Sequence, residues 1–149
     1  QPPLQQADTN GVFVLKAIEA EIHGQIARYE KLQDCIGFWM VREDYVSWTC
    51  DVMKPGRFSV AITYACAPGV EGSQYTVGVE APEVDSEPSE APGSKTTDTV
   101  WATGGWSSFI TEALGEIELP AGRHKIAVRA LSIQSAVMNL RQLRLSPLP

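Results

Sequence analysis

The chain has 149 residues, of which 44% are hydrophobic and 20% are charged, and this composition fits one globular domain with a single core. Its 18 acidic residues outnumber its 12 basic ones. The resulting net charge of −6 argues against nucleic acid and against an anionic membrane as partners. No apolar run approaches the roughly 20 residues that span a bilayer, so we expect no membrane insertion.

The first part of the chain divides into a tail, a strand and an ambiguous segment. Residues 1–11 are polar, contain proline and show no hydrophobic period, which predicts a flexible tail. A first strand is predicted over Phe13–Ile22, and it would carry Glu19 and Glu21 on one face. The only segment that allows a helix is Gly24–Asp34, and that helix would be short.

Strict alternation of apolar and polar residues follows over Val46–Val52 and, after a Lys-Pro-Gly turn signal, over Phe58–Cys66. In each segment the apolar side chains therefore share one face, which we expect to be buried. If Val52 lies opposite Phe58, every cross-strand pair on that face joins two apolar residues. The pattern predicts that the two segments form a hairpin.

Further short strands are bounded by turn residues, and they are predicted at Tyr75–Val79, Ser107–Thr111, Glu116–Leu119, Lys125–Leu131 and Met138–Leu145. With the earlier ones they make roughly eight strands, a count that predicts an all-β jelly-roll β-sandwich of two antiparallel sheets in a single domain over 12–149. Residues 80–98 are rich in proline, serine and acids and nearly lack large apolar side chains, which predicts a mobile acidic loop. A calcium-binding loop is the alternative there, but its carboxylates lack the fixed spacing of calcium ligands.

The three cysteines, Cys35, Cys50 and Cys66, make an odd count, so at most one internal disulfide can form. Their spacing is not that of a zinc site. Cys50 and Cys66 are interpreted as small buried hydrophobes. A bridge from Cys35 to Cys66 is a hypothesis that depends on an oxidising, exported setting.

Three tryptophans, Trp39, Trp101 and Trp106, lie in or beside predicted loops. A large aromatic side chain in a loop exposes apolar area unless it packs locally or binds something. Sugars present an apolar C–H face together with hydroxyls, so their sites join aromatic platforms to an amide or carboxylate. Asn139 and Gln142, together with Trp39 and Trp106, could form such a site. The alternative is that the tryptophans close the ends of the sandwich.

Six segments resemble, in order and spacing, the β-sandwich carbohydrate-binding modules of families 6 and 35: IEAEIHG, IGFWMVREDYVSW, PGRFSVAITYA, TGGWSSF, LPAGRHKIAV and MNLRQLRL. The likeness spans Ile18–Leu145 and includes modules appended to bacterial secreted sulfatases and α-L-fucosidases. It implies a galactose-binding-like sandwich that binds a carbohydrate without catalysis. It also implies a secreted or periplasmic location and the catalytic domain of a parent enzyme as a further partner.

The resemblance implies that the sugar is bound by Phe38 or Trp39, by Trp106 and by Asn139. Two departures affect this site. Phe109 replaces the second aromatic residue of the TGGW motif, and the acidic segment over 80–98 could shield or enlarge the cleft.

Glu19 and Glu21 match the glutamates that hold a structural calcium in these modules, but Arg141 stands where the third acidic ligand belongs. A guanidinium beside a cation is repulsive, whereas beside carboxylates it makes charge-assisted hydrogen bonds. We therefore expect Arg141 to replace the metal by a salt bridge to Glu19 or Glu21. Calcium is possible but not favoured, and no other cofactor is expected.

Two other functions remain open. One is a structural or interaction sandwich that packs on a catalytic domain without binding sugar, and it predicts that Trp39 and Trp106 are buried or face a partner protein. The other is a small hydrolase that uses Glu19 or Glu21 as acid or base. Because His23 and His124 lie outside any nucleophile-elbow or zinc-protease pattern, we do not expect an enzyme.

Overall fold

The computed structural model describes residues 2–80 and 94–149, and these form an all-β sandwich with one 3-10 turn over Ala17–Glu19. The strands in chain order are β1 Gln5–Gln6, β2 Phe13–Lys16, β3 Glu21–His23, β4 Arg28–Glu30, β5 Cys35–Gly37, β6 Tyr45–Val52, β7 Gly56–Cys66, β8 Gln74–Val79, β9 Lys95–Thr99, β10 Gly105–Leu119, β11 Gly122–Ser132 and β12 Asn139–Pro147. The predicted fold class is confirmed. Within the described ranges, no helix is long and apolar enough to cross a membrane.

The strands form two six-stranded sheets. Sheet A has the order β1-β6-β11-β8-β9, with β3 also paired to β6. Sheet B has the order β10-β7-β12-β5-β4, with β2 also paired to β12. Pairing among the described strands is antiparallel except between β1 and β6, which are parallel.

The predicted hairpin of β6 and β7 is wrong, because the two strands belong to opposite sheets. β6 pairs with β3 and β11, while β7 pairs with β10 and β12. The alternation itself holds, since Trp48 on β6 and Ile62 on β7 are both fully buried. Alternation identifies which face of a strand is buried but not which strand pairs with it. Here the two buried faces belong to different sheets of the sandwich.

The predicted first strand is broken by the 3-10 turn over Ala17–Glu19. β2 lies in sheet B and β3 lies in sheet A, so the chain changes sheets within this segment. Glu19 therefore lies in the turn while Glu21 lies on β3, and they are not neighbours on one strand face.

No α-helix forms over Gly24–Asp34, which instead contains β4 and turns. The buried Asp44 carboxylate accepts backbone N–H bonds from Gln25 at 3.2 Å, Ile26 at 3.1 Å and Ala27 at 2.7 Å. These bonds fix the bend that leads into β4 and satisfy three backbone N–H groups without a helix.

Two predicted loop segments contain paired backbone. Gln5–Gln6 pairs with β6, so regular structure begins before the end of the predicted tail over 1–11. Residues 95–98, predicted as the end of the acidic loop, belong to β9 and pair with β8. Residues 81–93 of that predicted loop lie outside the described residues.

All three cysteines are free and buried, so the predicted Cys35–Cys66 disulfide is wrong. Cys35 on β5 and Cys66 on β7 are separated by β12. Two strand spacings place the strands about 10 Å apart, whereas a disulfide needs α-carbons within roughly 7 Å. Burial raises the pKa of the Cys50 thiol to about 12, which makes it inert.

Candidate functional site

One end of the sandwich carries a cavity of about 360 Å³ that brings together Phe38, Trp39, Trp106 and Asn139. We call this cavity the end cleft. It is also lined by Glu30, Gln33, Met40, Ala136 and Met138. The elements that meet there are the end of β5 and the beginnings of β10 and β12. Its volume falls in the range of small-ligand pockets.

Phe38 and Trp39 follow β5 and both line the cavity, but they differ in exposure. Phe38 has a left-handed backbone, with φ of 56°, and its side chain is 43% exposed. A non-glycine residue in this region is strained, and such strain concentrates at functional sites. The Arg28 guanidinium carbon lies 3.9 Å from the centre of the Phe38 ring, which holds the aromatic side chain in place.

Trp39 is fully buried, so the expectation that its ring is open to water is wrong. Its indole N–H donates to the Asp44 carbonyl at 2.8 Å, and its own carbonyl accepts from the Val137 N–H at 2.8 Å. Trp39 can therefore form the floor of the end cleft but cannot offer a free ring face.

Trp106 lies at the start of β10 and remains 37% exposed. Asn139, at the start of β12, is 8% exposed, and its Nδ2 donates to the Trp106 carbonyl at 2.9 Å. The preceding turn is tied to β7, because the Thr103 hydroxyl accepts from the Cys66 N–H at 2.9 Å. Asn139 thus positions the backbone that carries the exposed indole.

Glu30 is a site residue that the sequence reasoning missed. A β-carbon added to Gly37 would overlap Glu30 Oε1 and lie 3.3 Å from Asn139 Oδ1. The carboxylate and the amide oxygen therefore converge above the bare α-carbon of Gly37. The charge of Glu30, after burial, also contributes to raising the pKa of the Cys35 thiol to about 12. The signal was available, since sugar sites combine aromatics with a carboxylate, but the segment was interpreted as a possible helix.

The remaining aromatic and amide candidates lie outside the end cleft. Trp101 is 57% exposed, and its backbone N–H donates to the Tyr64 hydroxyl at 3.0 Å, but it does not line the cavity. Gln142, opposite Lys16 on β2, does not line it either. Val79, at the end of β8, and Lys95, at the start of β9, do not line the cavity either.

The predicted salt bridge of Arg141 to the glutamates is wrong. The Arg141 guanidinium donates to the backbone carbonyls of Gln33 at 2.8 Å and Asp34 at 3.3 Å. It also lies 3.6 Å from the centre of the Phe109 ring. Arg141 therefore supports the turn between β4 and β5, which borders the cleft.

The residues present do not fit the structural calcium that the resemblance implies at Glu19 and Glu21. Glu21 pairs with the Lys125 ammonium at 3.3 Å and lies 3.7 Å from His23 Nε2. In the part of the chain that the structure describes, no group of three or more acidic, histidine or cysteine side chains could hold a metal. Lys125 thus supplies the positive charge beside Glu21.

No protein-family model matches the sequence, and no curated protein matches it significantly. Solved structures do match. A family 35 carbohydrate-binding module from Clostridium thermocellum shares 15% identity with a TM-score of 0.67, over 92% of this chain and 98% of that chain. A family 6 module of Cellvibrio mixtus lichenase 5A, solved with cellotriose, shares 20% identity with a TM-score of 0.64, over 91% of this chain and 97% of that chain. The chain has the fold of these modules.

This fold is not confined to modules that are named for carbohydrate binding. The mosquito-larvicidal Cry4Aa toxin of Bacillus thuringiensis matches with 12% identity and a TM-score of 0.71, over 97% of this chain and 25% of the toxin. The sandwich is thus a scaffold shared by different proteins, and the function must be argued from the end cleft.

Proposed function

We propose that this sandwich binds a carbohydrate, without catalysis, in the end cleft. The observation that carries the proposal is that two exposed aromatic side chains, Phe38 and Trp106, share one cavity with two oxygen acceptors, Glu30 and Asn139. An exposed ring can stack on the C–H face of a sugar, while the two acceptors take hydrogen bonds from its hydroxyls. Because the site has few hydrogen-bonding groups, we expect weak binding, with a Kd between tens of micromolar and millimolar.

The number of carboxylate side chains in the cavity favours sugar binding over glycoside hydrolysis. Among the described residues that line the end cleft, Glu30 is the only carboxylate. Glycoside hydrolysis commonly needs two carboxylates on opposite sides of the bond. Glu19 and Glu21, the candidates for a small hydrolase, do not line the cavity.

The biological setting that we propose is a secreted or periplasmic accessory module that brings an attached sugar-processing enzyme to its substrate. One similar structure is named as a carbohydrate-binding module of lichenase 5A in complex with cellotriose, which supports this setting. A glycoside hydrolase, a sulfatase or a fucosidase would each gain avidity from such a module.

A sandwich that only packs on a catalytic domain is the second candidate. It is favoured by one observation, the complete burial of Trp39, which was expected to be reachable by a ligand. The convergence of the Glu30 and Asn139 oxygens on the cavity between Phe38 and Trp106 favours sugar binding over such packing.

The test compares two tryptophan variants by retention on polysaccharide affinity gels and by a glycan array. Trp106→Ala should abolish the retention that the wild type shows. Trp101→Ala is the matched control, because that indole is exposed but lies outside the cavity, and it should leave retention unchanged. Equal retention of the wild type and Trp106→Ala would refute the assignment, and binding of no glycan by the wild type would favour the packing function.

A further inference from the structure

A second polar cluster lies between the open edges of the two sheets, away from the end cleft. Its members are Tyr75 on β8, Thr96 and Asp98 on β9, and Glu112 on β10. We propose that these four side chains bind a calcium ion that links β9 of sheet A to β10 of sheet B.

The register places three of these side chains on one face of sheet A. Asp98 lies directly opposite Tyr75, and Thr96 lies opposite Val77 in the same antiparallel pair. Tyr75 and Val77 are both fully buried, so the face that they share with Thr96 and Asp98 is the inner one. Directly opposed side chains have β-carbons about 4.5–5.5 Å apart, which brings Asp98 beside the phenol.

Sheet B brings the second carboxylate to the same place. Glu112 lies opposite Ile62, a fully buried residue, and so points toward the interior. The adjoining part of β10 approaches β9, since a β-carbon on Gly115 would lie 3.3 Å from Thr96 Cγ2. The side chains of Asp98 and Glu112 therefore face one region from the two sheets.

This region contains polar atoms without partners, which is the observation that points to a ligand. Tyr75 Oη, Thr96 Oγ1 and Asp98 Oδ2 are buried and have no hydrogen-bond partner among the described residues. The Tyr75 side chain is itself fully buried. Buried polar atoms are rarely left unpaired, because each unsatisfied group costs about 1–3 kcal/mol.

The electrostatic surroundings indicate that the ligand is positive. Burial and then the charge of Asp98 raise the pKa of the Glu112 carboxyl. Burial, Asp98 and, more weakly, Glu112 also raise the pKa of the Tyr75 phenol. No basic side chain of the described residues is among the causes of either shift. Two carboxylates that face one half-buried region attract a cation.

The donor set favours calcium over a shared proton. A proton shared between Asp98 and Glu112 neutralises only one of the two carboxylates, whereas a divalent cation neutralises both. A hydrated cation can engage the carboxylates directly and the hydroxyls directly or through its water. All four groups offer oxygen, and calcium takes six to eight oxygen ligands in flexible geometry, whereas magnesium demands a near-ideal octahedron.

The experiment dialyses the full chain against EDTA and then titrates it with calcium chloride alone, following heat by calorimetry and melting temperature by circular dichroism. At calcium concentrations about 100 times the Kd, the melting temperature should rise by about 5–10 °C. Asp98→Asn and Glu112→Gln keep side-chain shape, and each should weaken calcium binding by at least about tenfold. The control is the double variant Glu19→Gln/Glu21→Gln, which should respond to calcium as the wild type does.

Three results would overturn the proposal. The first is a wild type that neither releases heat nor gains stability with calcium. The second is a calcium response that survives Asp98→Asn but disappears in the Glu19→Gln/Glu21→Gln control, which would place the ion beside β3. The third is a wild type that does not respond to calcium but becomes more stable at lower pH, while Glu112→Gln does not. That result would indicate a proton shared between the carboxylates.

Discussion

Replacing Gly37 by alanine should weaken sugar binding while leaving the fold intact. The added methyl group would occupy the position of Glu30 Oε1 and press on Asn139 Oδ1, so the Glu30 carboxylate must leave the end cleft. A hydrogen bond to a charged group contributes about 1.5–3 kcal/mol, so affinity should fall roughly 10- to 150-fold. Gly37 does not have a left-handed backbone, so the folded chain should tolerate alanine and gain up to about 1 kcal/mol from reduced entropy of the unfolded state.

The assay is calorimetric titration of the wild type, Gly37→Ala, Glu30→Ala and the double variant with an oligosaccharide identified on the array. Because both single changes remove the same carboxylate, their effects should not add, and the double variant should bind about as weakly as either one. Thermal melting of each variant is the control for folding. Unchanged affinity in Gly37→Ala, or fully additive losses in the double variant, would refute the convergence of Glu30 and Asn139 on the ligand.

Three further predictions concern the fold. Asp44→Ala should destabilise the protein by about 3 kcal/mol or more in urea unfolding, because three backbone N–H groups lose their acceptor, and a cost under 1 kcal/mol would contradict that role. Burial lowers the pKa of His23 below its usual 6.5, so the stability it contributes is complete above pH 6.5 and is lost as pH falls through the folded-state pKa. His23→Gln should therefore lose less stability than the wild type between pH 7.5 and 5.5, and equal losses would argue against this linkage. Thiol titration should detect three free thiols in denaturant and almost none in the native protein, whereas a single thiol in denaturant would reveal a disulfide.

Local pattern predicted the strands far better than their partners. The alternation over β6 and β7 identified their buried faces, because that property depends on each strand alone. Their pairing depends on the whole sandwich, and a close turn signal suggested the wrong neighbour. The prediction of one continuous first strand was wrong for a related reason. No local feature of the sequence indicates that the chain crosses from sheet B to sheet A at Ala17–Glu19.

The candidate site was predicted in position but not in detail. The resemblance pointed to Phe38, Trp106 and Asn139, and the structure brings these residues to one cavity. Glu30 was missed because the conformation of the chain that leads into β4 depends on contacts from outside that segment, such as the bonds from the backbone of residues 25–27 to Asp44. The burial of Trp39 was also hidden, since adjacent aromatic residues do not reveal which of them points inward.

The most direct test of the proposed function is a titration of the isotope-labelled protein with the best array oligosaccharide, followed by amide and side-chain NMR shifts. The account predicts that the largest changes fall on the Trp106 indole N–H, the Asn139 side-chain amide and the backbone at Phe38. Changes centred on the outer face of sheet A, or no changes with any array glycan, would contradict it.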